Sequence, residues 1–482
     1  MTYQETVEYL FNSTPVFEHI GASAYKEGLE TTRTLDEHFG HPHTHFLTIH
    51  ITGTNGKGSC SHTLAAILQA DGYKVGLYTS PHLVDFRERI RINGKMISEE
   101  YVIDFVESHR NFFEPLHPSF FELTTAMAFK YFAEQKVDFA IIEVGLGGRL
   151  DCTNIINPLL SIITNISLDH TQFLGDTLPK IAFEKSGIIK QTTPVVIGEA
   201  TPETRVVFEA KAQEMDAMIV FAEDIPMVES ACANQKGGRI YQTRLFGTIE
   251  GELGGIYQDK NTNTLLTAVM QLYNNQIIRN IDSVAKGFSN ISKATGLMGR
   301  WQQIQENPIV ICDTGHNEAG WKDLSLQIKK QKCSALRIVF GMVDDKDIEA
   351  VMALLPDNAI YYWTQPRTKR AFSIEKIKEG VPYVLRFKSE GDYNKKIIIT
   401  DLVKGKLELP QDDQDIVIIK KDGLPTYHFA HVIDDHLMGT NLVIRTDEWF
   451  PSVALHVGLF LTLGFDVPKY AHPAPLQKLD NG

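Results

Sequence analysis

The string Gly53-Thr54-Asn55-Gly56-Lys57-Gly58-Ser59 constrains this chain more than any other feature. It follows the apolar run 46–51 and precedes a segment with Leu64, Ile67 and Leu68 at helical spacing, closed by Asp71-Gly72. Glycines between a strand and a helix let main-chain N–H groups turn inward, and the helix adds partial positive charge at its amino end. That is a cradle for phosphate oxygens. Lys57 is spaced to neutralise β- and γ-phosphates, and the Ser59 hydroxyl to help hold Mg²⁺.

Further along, strand and helix patterns alternate. Residues 74–78 read as a second strand, and 137–144 and 159–166 are nearly continuous apolar runs. Such runs suit strands buried on both faces of a parallel sheet. Each ends in polar residues: Glu143 in one case, Asn165 and then Asp169-His170 in the other. Doubly wound sheets bind ligands at the carboxyl ends of their strands. The expected fold class is therefore α/β with a parallel central sheet.

Composition narrows the function classes. A chain of 482 residues calls for two or three domains. A net charge of −13 speaks against a general nucleic-acid or anionic-membrane binder. Five scattered cysteines without a CxxC pair suggest neither a disulfide framework nor a zinc knuckle. The first ten residues contain Gln4, Glu5 and Glu8, unlike a signal peptide, and the apolar stretch 457–465 is too short to span a bilayer. The expectation is a cytoplasmic protein. His41, His43 and His45, with Pro42 among them, read as a solvated loop rather than a metal site.

The segment His50-Ile51-Thr52-Gly53-Thr54-Asn55-Gly56-Lys57-Gly58-Ser59 resembles the phosphate loop of folylpolyglutamate and dihydrofolate synthases, members of the Mur ligase superfamily. Further matching motifs follow in family order: Thr79-Ser80-Pro81-His82-Leu83, Phe121-Glu122-Leu123-Thr124-Thr125-Ala126, the stretch 143–154, Ser167-Leu168-Asp169-His170, Glu184-Lys185-Ser186-Gly187-Ile188, Gly299-Arg300 and Asp313-Thr314-Gly315-His316-Asn317. Together they span roughly residues 1–375, and the resemblance divides this span into an ATP-binding domain, 1–296, and a truncated Rossmann-like domain, 297–379.

The resemblance implies ATP and two Mg²⁺ ions, with activation of a carboxylate as an acyl phosphate and its capture by the amine of L-glutamate. It implies Mg²⁺ ligation by Ser80, Glu143 and His170, beside Ser59. Read without it, His170 is as readily a structural histidine. Lys185 falls in the segment resembling the family's carbamylated-lysine motif; its carbamate would hold the second Mg²⁺. By the same resemblance Gln258 and Asn261 lie near the adenine, Arg300, Asp313 and His316 meet the nucleotide from the second domain, and Lys57, Lys185 and His170 carry the chemistry. Ser80, Pro81, His82, Phe121, Arg149, Asp151 and Asn154 would face the acceptor, dihydropteroate or a reduced folate. A monomer without nucleic-acid or membrane partners is expected. A UDP-muramyl ligase fits less well, since the Ser80-Pro81-His82-Leu83 segment and so early a phosphate loop are unlike it.

Near residue 380 the text changes. Residues 380–388, 401–405, 422–438 and 443–449 are similar to the interior of glutamyl-tRNA synthetase, with Tyr427, Arg445 and Trp449 on segments near that family's glutamate pocket. Its His-x-Gly-His motif does not precede them, and its Lys-Met-Ser-Lys-Ser-like loop does not follow, so aminoacyl-tRNA formation is not expected. Residues 380–482 read as a class I synthetase-like α/β fragment, either a genuine appended piece or, the favoured reading, the product of two incomplete genes joined. A parallel sheet that loses its final strands exposes an edge and an apolar face. An inactive nucleotide-binding protein is therefore the alternative to a working ligase.

Overall fold

The structure is a computed structural model that describes residues 1–13, 28–343, 347–365, 384–389, 391–420 and 423–474. The junction near residue 380 lies outside these residues. Two compact units are present, Met1–Phe372 and Ser373–Gly482.

The first unit is built on eight strands: β1 (Leu47–Thr52), β2 (Val75–Tyr78), β3 (Ile90–Ile92), β4 (Lys95–Met96), β5 (Phe139–Glu143), β6 (Leu160–Ile163), β7 (Val195–Ile197) and β8 (Ile219–Phe221). Their spatial order is β4-β3-β2-β5-β1-β6-β7-β8, with β3 antiparallel to both β2 and β4 and every other pairing parallel. Every residue of β2, β5 and β6 is buried, as the apolar runs require of a sheet covered on both faces. On one face Ile49, Ile51 and Ile141 pack with Leu64 and Leu68 of α1 (Lys57–Ala70) and with helix Gln258–Asn274. On the other, Tyr78, Ala140 and Ile142 pack with the phenylalanines of α2 (Glu99–Phe113) and α3 (Phe120–Glu134). Helices thus cover both faces of the sheet, the three-layer α/β architecture expected from the sequence.

Register decides where the chemistry sits. Ile51 pairs with Glu143, Thr52 with Ile163, and Tyr78 with Ile142. Four adjacent strands thus deliver the glycine loop, Ser80, Glu143 and Asn165 to one edge of the sheet. After α4 (Leu178–Ser186) and a three-stranded sheet, β9 (Val228–Ala233), β10 (Arg239–Thr243) and β11 (Thr248–Gly251), comes α5 (Gln258–Asn274).

The remainder of this unit is slighter. It holds the hairpin β12 (Gln302–Glu306) and β13 (Ile309–Cys312), then α6 (Glu318–Lys329), and the parallel pair β14 (Leu336–Phe340) and β15 (Ala359–Trp363). Phe340 and Trp363 pack with Trp321 and Leu324 of α6, but the opposite face leaves Val339 75% exposed. Among the described residues this parallel sheet has two strands.

The second unit has a four-stranded sheet, β18-β17-β21-β20, and a pair, β16 with β19. These strands are β16 (Leu385–Phe387), β17 (Lys396–Asp401), β18 (Gly405–Pro410), β19 (Ile416–Ile419), β20 (Leu442–Ile444) and β21 (Lys469–Ala471). Helices α7 (Tyr427–Leu437) and α8 (Val453–Thr462) supply Val432, Leu455, Leu459 and Phe460 to its core. Among the described residues no helix is long and apolar enough to cross a membrane.

Candidate active site

A cavity of about 480 Å³ opens where β1, β2, β5 and β6 end. Its floor is the loop 53–59. Gly53 has φ +148°, and a Cβ there would lie 1.8 Å from Thr164 Oγ1; Gly56 has φ +86°, and a Cβ there would lie 2.2 Å from Asn261 Oδ1. Only glycine fits either place. Asn55 N–H donates to Asn165 Oδ1 at 2.9 Å, and Thr164 Oγ1 donates to the Asn55 carbonyl at 2.5 Å. Thr54 exchanges hydrogen bonds with Ser167. No side chain caps the amino end of α1, so its first N–H groups remain directed to the cavity.

Two ammonium groups meet on this loop. Lys57 Nζ donates to the carbonyls of Gly53 at 2.9 Å and Thr54 at 3.1 Å, and Lys185 Nζ donates to Gly53 O at 2.9 Å. Burial at the end of α4, with Lys57 beside it, pulls the Lys185 amine down to about 7. Glu143 is also buried, and burial pushes its carboxyl up against the opposing pull of Lys57. Its Oε2 accepts from Ser80 N–H at 3.2 Å. A desolvated carboxylate lining the same cavity as Ser59 and Ser80 gives oxygen donors of the kind that suits Mg²⁺. His170 lines the same cavity from the amino end of a short turn. Among the described residues no group of three or more His, Cys, Asp or Glu side chains is arranged to hold a metal by itself. His41 and His43 both bond Asp36 instead.

The opposite wall comes from the segment 300–324. Arg300 reaches over the loop, so that a Cβ on Gly58 would lie 3.2 Å from its Nη2. Asp313 Oδ2 accepts from Tyr257 OH at 2.6 Å and Trp301 N–H at 2.7 Å, while its Oδ1 accepts from Gly315 N–H at 2.8 Å. His316 Nε2 lies 3.8 Å from Asp169 Oδ2.

Of the residues expected from sequence, Gly53, Thr54, Asn55, Gly56, Lys57, Gly58, Ser59, Ser80, Pro81, Glu143, His170, Lys185, Asn261, Arg300, Asp313 and His316 line this cavity. The others do not. Gln258 lies behind the loop, donating to Ser59 Oγ at 3.1 Å and accepting from Asn261 Nδ2 at 2.9 Å. His82 accepts from Arg89 Nε at 2.7 Å. Phe121 tilts against Tyr78 with ring centroids 5.7 Å apart, and its neighbour Glu122 is spent on the capping box with Ser119.

Asp151 braces its own loop, accepting from the N–H groups of Gly145, Leu146 and Thr153. Arg149 turns outward to Glu184, at 2.9 Å, over the Phe183 ring. Asn154 Nδ2 ties the carbonyls of Arg149 and Gly187 together. Tyr257 and Asn317 were given no role by sequence, although Asn317 stands inside a quoted motif, and Asp169 was read only as a polar residue after a strand end. The only local sign for Asn317 is an asparagine followed by Glu318 at a helix start.

The Mur ligase middle domain family model matches residues 51–242, and the model for the catalytic domain of class I tRNA synthetases (E and Q) matches residues 364–481. The dihydrofolate synthase/folylpolyglutamate synthase of Bacillus subtilis (strain 168) is 36% identical over 346 residues, covering 68% of this chain and 79% of that one. The Mycobacterium tuberculosis folylpolyglutamate synthase complexed with ADP and AMPPCP superposes with a TM-score of 0.69 at 32% identity, covering 78% of this chain and 85% of that one. An FPGS complex with AMPPCP and folate superposes with a TM-score of 0.68 at 30% identity, covering 79% and 93%. With this identity over most of a full-length relative, and with a glycine loop, paired lysines and buried glutamate at the strand ends, the chain belongs to the dihydrofolate synthase/folylpolyglutamate synthase family.

Proposed function

We propose that this chain is an ATP-dependent acid–amino-acid ligase that joins the carboxylate of dihydropteroate or a reduced folate to the amine of L-glutamate. The observation that carries the reading is the convergence of Lys57 and Lys185 on Gly53 O, opposite buried Glu143 and beneath Arg300. Phosphoryl transfer to a carboxylate is mostly positioning and charge neutralisation. The ammonium of Lys57, the loop N–H groups and the Arg300 guanidinium would spread the charge of the transferring phosphate. Transfer of the γ-phosphoryl group to the acceptor carboxylate would release ADP, and the glutamate amine would then attack the acyl carbon, expelling inorganic phosphate and giving up a proton to leave the amide.

Ser59, Ser80, Glu143 and His170 would hold Mg²⁺, which supplies further charge neutralisation when bound. Lys185, neutral in part at physiological pH, has the nucleophilic amine that carbamylation requires: the nitrogen adds CO₂ and releases a proton, leaving an anion. That anion would provide for a second Mg²⁺. Gln258 acts here through Ser59 and Asn261, and Asp313 through Tyr257 and Trp301. Arg149, Asp151 and Asn154 shape the loop beside the acceptor, with His82 and Phe121 behind it.

The domain boundaries near 296 and 379 belong to this reading, as do a monomeric cytoplasmic enzyme without nucleic-acid partners and an inert synthetase-like segment at 380–482. One observation favours a second reading. Among the described residues β14 and β15 pair only with each other, a thin support for the cavity wall that carries Arg300 and Asp313. In that case the protein binds nucleotide without turning it over. ADP release by purified protein, with dihydropteroate and a reduced folate offered separately, decides between them: release that requires both acceptor and L-glutamate supports the ligase, and binding without release supports the second.

A further inference from the structure

Asn317 has every hydrogen-bonding position filled, each beyond its own helix turn by a distant part of the chain. Its Oδ1 caps α6 by accepting from Gly320 N–H at 2.9 Å. The same oxygen accepts from Asn55 Nδ2 at 3.2 Å, and Asn317 Nδ2 donates to Asn55 Oδ1 and to Asp169 Oδ2, both at 3.0 Å. An asparagine side chain has two donor hydrogens and about two acceptor directions, so this one is saturated. It is 5% exposed. Its partners stand 262 and 148 residues away in sequence.

Capping explains only part of this. A helix amino end needs one side-chain oxygen, which serine or aspartate supplies about as well as asparagine. The two donated hydrogens are surplus to that task. One goes to the middle of the glycine loop and the other to the residue before His170. Among the described residues Asn55 is otherwise held through its main chain, by Asn165 and Thr164. Its flanking residues, Thr54 and Gly56, belong to the turn whose N–H groups face the cavity.

We infer that Asn317 is a positioning residue for nucleotide, registering the amino end of α6 against the glycine loop and Asp169. Its amide does not touch phosphate; it fixes the side chain of the residue on which the loop turns. The inference rests on the nucleotide site proposed above and adds to it a named link between that loop and the wall bearing Arg300.

The test uses full-length protein and titration calorimetry with Mg²⁺ and AMPPNP. Asn317→Ser keeps a capping oxygen and removes both amide donors without adding charge; Asn317→Asp, a second capping variant, guards against a folding failure of the first. Each, like Asn55→Ala, should bind AMPPNP about tenfold more weakly, the equivalent of roughly one buried hydrogen bond. The double variant Asn55→Ala/Asn317→Ser should bind within about twofold of the weaker single variant, since both remove one interaction. The KM for ATP should rise with the KM for L-glutamate unchanged. Wild-type affinity in both capping variants, or multiplying losses in the double variant, overturns the inference, and so does a wild-type protein that does not bind AMPPNP. Failure of the wild type to release ADP refutes the ligase reading alone, because the binding arms remain readable.

Discussion

The ammonium groups of Lys57 and Lys185 donate to a single carbonyl oxygen, that of Gly53, each at 2.9 Å. Two like charges on one acceptor favour deprotonation of the more deeply buried partner, and Lys185 is that partner.

Stability should therefore depend on pH through Lys185. Its amine titrates near 7 in the folded protein and at 10.5 when unfolded. Between these values the unfolded chain binds more protons, so stability rises with pH across that window; below 7 both states are protonated and the burial penalty is borne in full. Lys185→Met should be more stable than the wild type at pH 6, with the difference shrinking toward pH 10. Urea unfolding of metal-free protein at several pH values measures this, and parallel curves for the two proteins would refute it.

Removing the other lysine should act on chemistry. Lys57→Ala is expected to lose about 10²–10³-fold in kcat/KM for ATP, the usual loss when a charge-stabilising donor is removed. It should also raise the pH at which Lys185 becomes reactive, because Lys57 is the second cause of its depression. The pH profile of Lys185 labelling by an amine-selective reagent, followed by mass spectrometry, would show the shift, and an unchanged profile would dissociate the two residues.

Asp151 should prove a stability residue. Asp151→Asn replaces one of two oxygens that accept main-chain N–H groups with a donor facing donors. A loss of about 1–3 kcal/mol is expected from equilibrium unfolding. The KM for the acceptor in the folded fraction should change little; a large rise with stability intact would place Asp151 on the substrate instead.

The two faces of β14 should respond oppositely. Phe340 is buried against Trp321 and Trp363, so Phe340→Ala should cost about 3–5 kcal/mol. Val339 points the other way, and Val339→Lys should stay within about 0.5 kcal/mol. Proteolytic resistance of the 297–365 region in each variant reports the difference; equal sensitivity would mean that the second face is covered.

Much of the nucleotide side was legible because it is local. A glycine loop between strand and helix, and polar residues ending apolar runs, place Lys57, Glu143 and Asn165 from spacing alone. Lys185 and His170 needed the family resemblance, since no periodicity distinguishes a buried lysine at a helix end from a surface one. Side-chain direction was less legible. Asp151 and Asn154, expected at the acceptor, and Gln258, expected near the adenine, stand in recognisable strings, yet their side chains are consumed by neighbouring main-chain groups or by Ser59. A string gives membership in a loop but not the direction of a side chain. Asn317 was invisible for the same reason, its partners being set by the tertiary fold.

The strand order has a consequence for biosynthesis. β1 pairs only with β5 and β6, so the ribosome must release residues up to Glu143 before the strand preceding the glycine loop acquires its first neighbour. β2, made soon after β1, cannot stand in, because β5 inserts between them. A nascent chain arrested before β5 would therefore carry the complete glycine loop and gain no grip on nucleotide, whereas one released after β6 would already possess the floor of the cavity.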